Sequence, residues 1–148
     1  TMRGRTGAML EFGCGIAPVG VWIEPRKPRW MLALEDVDSP HLHYAQWRVD
    51  FVRTDSRAVY RMLFNVITAL DVFEHLADPG KVARMLVNRL KPGGYLHWNF
   101  VGNDRQNDLD IASPQQRDET VAYLYRALDL IYEKDGYRVS RKRRAFRR

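Results

Sequence analysis

Apolar positions in this chain follow two rhythms, short continuous runs and helical stripes, and the two alternate from one end to the other. Residues 8–12 (Ala-Met-Leu-Glu-Phe) are an apolar run broken only by an acid near its end, which predicts a buried strand. Residues 18–24 predict a short helix, because Pro18 suits a first helical turn and Pro25 and Pro28 end it. Residues 30–34 form a second apolar strand that runs into Glu35-Asp36. Ser39-Pro40 is an N-cap followed by proline at the first helical position, and it opens a helix over 40–47. Residues 49–53 predict a third strand, after which Asp55 or Ser56 caps a helix through Met62.

The second half repeats the pattern. Residues 64–70 (Phe-Asn-Val-Ile-Thr-Ala-Leu) are rich in β-branched side chains and predict a strand. Asp78-Pro79 opens a helix through Leu90 that carries Val82, Met85, Leu86 and Leu90 on one face. Lys91-Pro92-Gly93-Gly94 has turn chemistry, and 95–101 is the next strand. Residues 102–113 are polar and loop-like. Residues 114–133 predict a long helix striped by Val121, Leu124, Leu128 and Ile131, and Asp135-Gly136 turns the chain into a last strand at 137–140. Strands alternating with helices imply right-handed βαβ units in a mostly parallel α/β sheet. No repeat or low-complexity linker divides the chain, so residues 1–148 read as one domain.

Composition narrows the class. With 148 residues, 45% of them hydrophobic, the chain can bury a core without staples. A single cysteine, Cys14, excludes an internal disulfide. No apolar run approaches the ~18 residues of a membrane span, and no signal-like segment opens the sequence. The expected compartment is therefore cytoplasmic. The net charge of +6 is concentrated: residues 137–148 hold 7 of the 24 Lys and Arg and no acid, which leaves 17 basic and 18 acidic residues elsewhere. A nucleic-acid enzyme spreads its basic groups over a face. The tail reads as an edge strand kept from aggregating by charge. A nucleic-acid or membrane-surface arm is the less favoured alternative.

In a parallel sheet the ligand lies at the carboxyl ends of the strands. Leu10-Glu11-Phe12-Gly13-Cys14-Gly15 is such an end: a strand, a tight glycine turn and a helix start. Gly13 and Gly15 let the backbone approach a ligand closely. A side chain at Gly13 is expected to block the ligand while leaving the domain folded. The acid Glu11 argues against a phosphate in the loop and for a cationic or hydroxyl-bearing ligand. Asp36 falls at the end of the second strand, where an acid accepts both hydroxyls of a ribose, with Glu35 as the alternative in register. Turn and acid together point to an adenosine-containing ligand. The alternative is that Glu35 or Asp36 caps the next helix or is merely solvated.

Two further segments bring in a resemblance: Asp71-Val72-Phe73-Glu74-His75-Leu76 after the fourth strand and Leu90-Lys91-Pro92-Gly93-Gly94 before the fifth. With the Glu-x-Gly-x-Gly loop, these motifs make residues 8–101 resemble the class I S-adenosylmethionine-dependent methyltransferases that act on small molecules. The resemblance implies a Rossmann-like, doubly wound, mostly parallel sheet of six or seven strands with helices on both faces. It implies S-adenosyl-L-methionine as cofactor and a small-molecule substrate. Glu11 would order the loop and serve the methionine end, Gly13 and Gly15 would approach the ligand, and Cys14 would be a small filler between them. Asp36, or Glu35, would take the ribose hydroxyls. Asp55 or Thr54 would reach the adenine amino group, although that stretch matches the family poorly. Asp71, Val72 and Phe73 would lie along the cofactor near the reacting methyl.

Methyl transfer is an in-line displacement with a neutral thioether leaving group, so positioning supplies most of the rate. A base is needed only for an acceptor that must lose a proton, and His75 is the candidate catalytic residue, with a structural role in the turn as its alternative. Glu74 and His75 are too few ligands for a metal site, and none is expected. Trp98, Asn99 and Asn103 follow the fifth strand, where a substrate would sit, and Trp98 reads equally as core. Trp22, Trp30 and Trp47 are expected to cover the sheet faces. The sequence departs from the family pattern at Ala17, which replaces a third glycine, and in the helix cut short by Pro25 and Pro28. It is expected to lack the family's N-terminal covering helices and its seventh, antiparallel strand. Those short ends make a fragment, a partner subunit or an oligomer part of the reading. They also leave as alternatives a non-catalytic cofactor-binding module and an RNA or protein methyltransferase guided by the basic tail. A nicotinamide dehydrogenase is disfavoured by the acid in the loop and by Pro18, which stands where the last glycine of that pattern would be.

Overall fold

The computed structural model describes residues 6–49, 61–100 and 110–144. Its elements, in chain order, are β1 (Gly7–Phe12), α1 (Pro18–Ile23), β2 (Trp30–Glu35), α2 (Pro40–Arg48), β3 (Phe64–Ala69), α3 (Pro79–Arg89), β4 (Leu90–Trp98), α4 (Pro114–Ala127), β5 (Leu128–Lys134) and β6 (Tyr137–Lys142). Short 3-10 turns follow α1 at Glu24–Arg26 and precede α3 at Phe73–His75. The expected strand at 49–53, the helix through Met62, and Thr54 and Asp55 lie outside the described residues, apart from Val49, Arg61 and Met62 at their margins.

The helix starts follow from local chemistry. Ser39 Oγ accepts from Leu42 N at 3.3 Å, and Asp78 Oδ1 accepts from Lys81 N at 2.8 Å. Ser113 and Gln116 form a reciprocal capping box. Each cap is followed by a proline whose missing N–H is no loss in a first turn.

The six strands form one sheet in the order β2-β1-β3-β4-β6-β5. β2, β1, β3 and β4 are parallel. β6 inserts antiparallel between β4 and β5. The core has two layers, one on each face of this sheet. Leu10, Ile67, Leu96 and Trp98 pack with Ala83 and Leu86 of α3 and Leu124 of α4. Met9, Leu32 and Leu34 pack with Ala17 and Ala45 on the opposite face. The sheet is thus doubly wound, as the alternation of elements predicts.

The C-terminal third corrects the sequence reading. The helix expected over 114–133 stops at Ala127, and 128–134 is a strand. Asp135 (φ 51°) and Gly136 (φ 82°) supply the two positive φ angles that a tight hairpin of this hand needs, and they fold β6 back on β5. The stripe through Leu128 and Ile131 fits a helix equally well, but the hairpin closes a ladder of backbone bonds that a helix running on into the Asp-Gly turn would forgo. The antiparallel strand expected to be missing is therefore present, built from 137–142. Arg138, Arg141 and Lys142 of the basic cluster consequently lie on an internal strand, and β5 is the edge. Arg138 pairs with Glu133 at 2.8 Å and Arg143 with Asp129 at 2.8 Å. Lys142 Nζ donates to Val87 O at 2.8 Å and Leu90 O at 2.9 Å, closing the C-terminus of α3.

Two smaller differences follow from packing. Lys91–Gly94 is the irregular start of β4, with a register shift against β3, and the strand ends at Trp98. Trp98 is fully buried and donates to Ser140 Oγ at 3.1 Å, which makes it core. Trp22 and Trp47 do not cover the sheet: they are 56% and 80% exposed, and the Arg26 guanidinium from the 3-10 turn after α1 lies 4.4 Å from the Trp22 ring centroid.

Candidate functional site

The carboxyl ends of β1, β2, β3 and β4 converge on the glycine loop. Gly13 N and Cys14 N both donate to Glu35 O, at 2.8 and 3.2 Å, so the loop is tied to the end of β2 through Glu35's backbone. Gly15 N donates to Asp36 Oδ2 at 2.6 Å, and Val37 N to Asp36 Oδ1 at 2.7 Å. Asp36 thus sits against the loop, spanning its turn and the exit of β2. Arg48 reaches from the end of α2 to Ile16 O at 3.0 Å, a contact that no periodicity in the sequence signals.

Glu11 lies at the end of β1 beneath the start of α1. Its Oε1 accepts from Val19 N at 3.1 Å and its Oε2 from Gly20 N at 2.7 Å. Burial pushes its carboxyl above the usual range, and these two amides pull it back. Each oxygen thus anchors one amide of α1. Ala17, at the position of the third glycine, takes a left-handed conformation (φ 55°) that glycine adopts without strain.

The glycines differ in kind. A Cβ at Gly13 would overlap Val72 Cγ2 and lie 3.0 Å from Val72 Cγ1, on a backbone with φ +66°. Gly13 is therefore required by packing against the turn after β3, and a side chain there disrupts the fold as well as any ligand. A Cβ at Gly15 (φ +49°) would meet nothing within 4 Å, and it points into open space.

Asp71 is exposed and left-handed, with φ 52°. Its amide donates to Asn99 Oδ1 at 2.7 Å, and Asn99 Nδ2 donates to Asp71 Oδ1 at 2.5 Å. Val72 closes on Gly13. Phe73 is fully buried and stacks on Phe100, 5.8 Å between centroids, so its side chain belongs to the core. Glu74 is buried, with Oε2 lacking a partner among the described residues, and burial raises its carboxyl's affinity for a proton. Its carbonyl accepts from Ile111 N and Ala112 N, tying the turn to the segment before α4. His75 Nδ1 lies 3.6 Å from Asp110 Oδ1. Among the described residues, no group of three or more His, Cys, Asp or Glu side chains is placed to hold a metal ion.

Cys14 reports the field at the loop. Its thiol is buried and pushed up to about 12, first by burial and then by the charges of Asp36, Glu11 and Glu35. Three carboxylates thus act on one point between the two glycines. That environment repels a phosphate and suits a cationic ligand.

A doubly wound sheet with an acid-ringed glycine loop at the end of its first strand defines a nucleoside-cofactor domain rather than a phosphate-binding one. The chain belongs to the methyltransferase-domain family, whose sequence profile matches residues 3–139. A ubiquinone biosynthesis O-methyltransferase from Haemophilus ducreyi is 28% identical over 94 residues, covering 64% of this chain and 39% of the relative. A ribosomal RNA small subunit methyltransferase C from the same organism is 30% identical over 73 residues, covering 49% and 20%. The matches thus span well under half the length of these relatives. The solved structure of S-adenosylmethionine-bound CalS10, an amino pentose methyltransferase from Micromonospora echinaspora, superposes with a TM-score of 0.67 at 15% identity, covering 95% of this chain and 85% of that one. At that identity the likeness is one of fold.

Proposed function

We propose that this chain is a single S-adenosyl-L-methionine-binding domain that transfers the cofactor's methyl group to a small-molecule acceptor. The observation that carries the reading is the ring of acids built into the glycine loop: Asp36 Oδ2 on the Gly15 amide at 2.6 Å, Glu35 tied by its carbonyl to Gly13 and Cys14, and Glu11 buried beneath the start of α1. The ligand of such a loop is cationic, and S-adenosylmethionine joins a sulfonium and an ammonium to a ribose and an adenine without a phosphate. The open space beyond Gly15 fits the same group.

In this reading the backbone of Gly13, Cys14 and Gly15 carries the amino-acid end, with Glu11 holding the loop and α1 together behind it. Asp36 takes the ribose hydroxyls on the lone pairs its two loop amides leave free, and Glu35 is the alternative. Asp71 and Val72 line the opposite wall, and Phe73 supports them from the core. Bound S-adenosylmethionine supplies an activated methyl carbon: the acceptor's lone pair forms the new bond as the carbon–sulfur bond breaks and its electrons return to sulfur. The chain's own contribution is to hold acceptor and methyl in line and in contact. For a hydroxyl or phenol acceptor, His75 takes the departing proton, with Asp110 orienting its ring.

A second reading, methylation of RNA, draws support from the ribosomal RNA relative. Against it, Arg138, Lys142 and Arg143 of the basic tail are already bonded within the fold. Isothermal titration with S-adenosylmethionine and S-adenosylhomocysteine tests the cofactor claim, and no heat at high micromolar ligand refutes it. Binding without turnover of any acceptor would leave a non-catalytic cofactor module. Salt-dependent RNA affinity lost on deleting residues 141–148 would favour the second reading.

A further inference from the structure

We propose that Asn99, just past the end of β4, is a positioning residue that aims the Asp71 carboxylate at the cofactor. The inference rests on the binding reading above. Two adjacent parallel strands, β3 and β4, end side by side, and the first turn residues beyond them close a two-bond ring. Asn99 Oδ1 accepts from Asp71 N at 2.7 Å, and Asn99 Nδ2 donates to Asp71 Oδ1 at 2.5 Å. Both the oxygen and the nitrogen of the Asn99 amide are therefore engaged by one neighbour, inside a residue only 4% exposed.

Each bond does separate work. The first holds the backbone of Asp71 at φ 52°, a conformation that costs a non-glycine residue free energy and persists where surrounding contacts enforce it. The second fixes the rotation of the carboxylate by occupying Oδ1. Among the described residues no donor reaches Oδ2, and Asp71 is exposed. A charged acceptor is thus presented at a set angle from the end of β3. The next residue, Val72, packs on Gly13, so the same turn that carries the acceptor forms the wall of the glycine loop. Asparagine suits the task because it offers an acceptor and a donor from one planar group. Aspartate at position 99 would lose the donor and oppose a second charge to Asp71. Alanine would free the carboxylate to rotate.

The test separates aiming from structural support. S-adenosylhomocysteine affinity is measured by titration for the parent chain, Asn99→Ala, Asp71→Asn, the double variant Asn99→Ala/Asp71→Asn, and the exchange Asp71→Asn/Asn99→Asp, each with a thermal melt. Asn99→Ala and Asp71→Asn are each expected to bind at least tenfold more weakly. Their double variant is expected to be no weaker than the poorer single by more than twofold, since nothing remains to be aimed. The exchange rebuilds the ring with the charge on the wrong strand, so it is expected to recover the melting temperature lost in Asn99→Ala without recovering affinity. Asn99→Ala binding within twofold of the parent overturns the proposal, as do losses that multiply in the double variant or an exchange that restores affinity. Should Asn99→Ala not fold, Asn99→Ser takes its place under the same criteria. A parent chain that binds no S-adenosylhomocysteine refutes the cofactor reading itself, which keeps the two failures distinct.

Discussion

Gly13 and Gly15 are one residue apart and both have positive φ, yet substituting them should have different consequences. At Gly13 the new Cβ of alanine would overlap Val72 Cγ2, with Cγ1 at 3.0 Å and Cβ at 3.2 Å, where ordinary contact begins at 3.4 Å. Val72 is buried and cannot simply swing away, because the turn it sits on is pinned by Asp71 and Asn99. Overpacking of this kind costs about 1–3 kcal/mol. The left-handed backbone adds about 1–2 kcal/mol for any residue with a Cβ. Gly13→Ala should therefore lose about 2–5 kcal/mol, against a total stability of about 5–15 kcal/mol for a domain of this kind. Gly15→Ala pays only the backbone cost, about 1–2 kcal/mol, because its Cβ meets nothing. Urea unfolding followed by tryptophan fluorescence measures both. Adding Val72→Ala to Gly13→Ala should recover the steric part, giving a coupling of about 1–3 kcal/mol in the double-mutant cycle. Gly15→Ala should stay folded and lose affinity for S-adenosylhomocysteine. Equal destabilisation at the two glycines, or additivity in the cycle, would refute the assignment of Gly13 to packing and Gly15 to the ligand side.

Other consequences are as direct. Asp36→Ala removes the acceptor of the Gly15 and Val37 amides, so S-adenosylhomocysteine should bind weaker by about 1–3 kcal/mol in a titration. Unchanged affinity would move the ribose role to Glu35. Cys14, with its thiol pushed up to about 12, should resist alkylation by iodoacetamide at pH 8 in the native state and react on unfolding, read by mass spectrometry. Burial raises Glu74 above its unfolded value of 4.5, so the folded state holds the proton more tightly than the unfolded one. Stability from this group is then present below pH 4.5 and is lost as pH rises through the raised folded value. Glu74→Gln should accordingly gain on the parent in thermal melts as pH rises from 4.5 to 8, by ~1.4 kcal/mol for each unit of the shift; a pH-independent difference would contradict this.

What the sequence made legible depended on where the deciding interactions lie along the chain. Two capped helices are legible because Ser39-Pro40 and Asp78-Pro79 each bond within one turn. Of the β5–β6 hairpin the sequence shows the turn and β6 but not β5, because Leu128 and Ile131 satisfy a helical stripe as well as a strand, and only the pairing of β6 with β4, more than 30 residues upstream, decides between them. In the site, Glu11, Gly13, Gly15 and Asp36 stood out by type and spacing. Their division of labour did not, since Glu11 is spent on two amides of α1 and Gly13 on Val72. For Asn99 the sequence indicates only a place near the substrate region; its bond to Asp71 spans 28 positions and leaves no local signature.

These contacts change what the acid in the loop means. Read from the sequence, Glu11 argues for a cationic or hydroxyl-bearing ligand, and the family resemblance has it order the loop and serve the methionine end. In the fold its two oxygens accept from the amides of Val19 and Gly20, which ties the end of β1 to α1. Its charge also helps to hold up the Cys14 thiol, behind burial and Asp36 and ahead of Glu35. Selection of a sulfonium cofactor is then a property of the whole acid-lined loop, and it should survive the loss of any one carboxylate better than the loop's geometry does. Glu11→Gln, which keeps the acceptor for one amide but removes the charge, separates the two: a modest loss of S-adenosylmethionine affinity with a clear loss of thermal stability is what this division of roles requires.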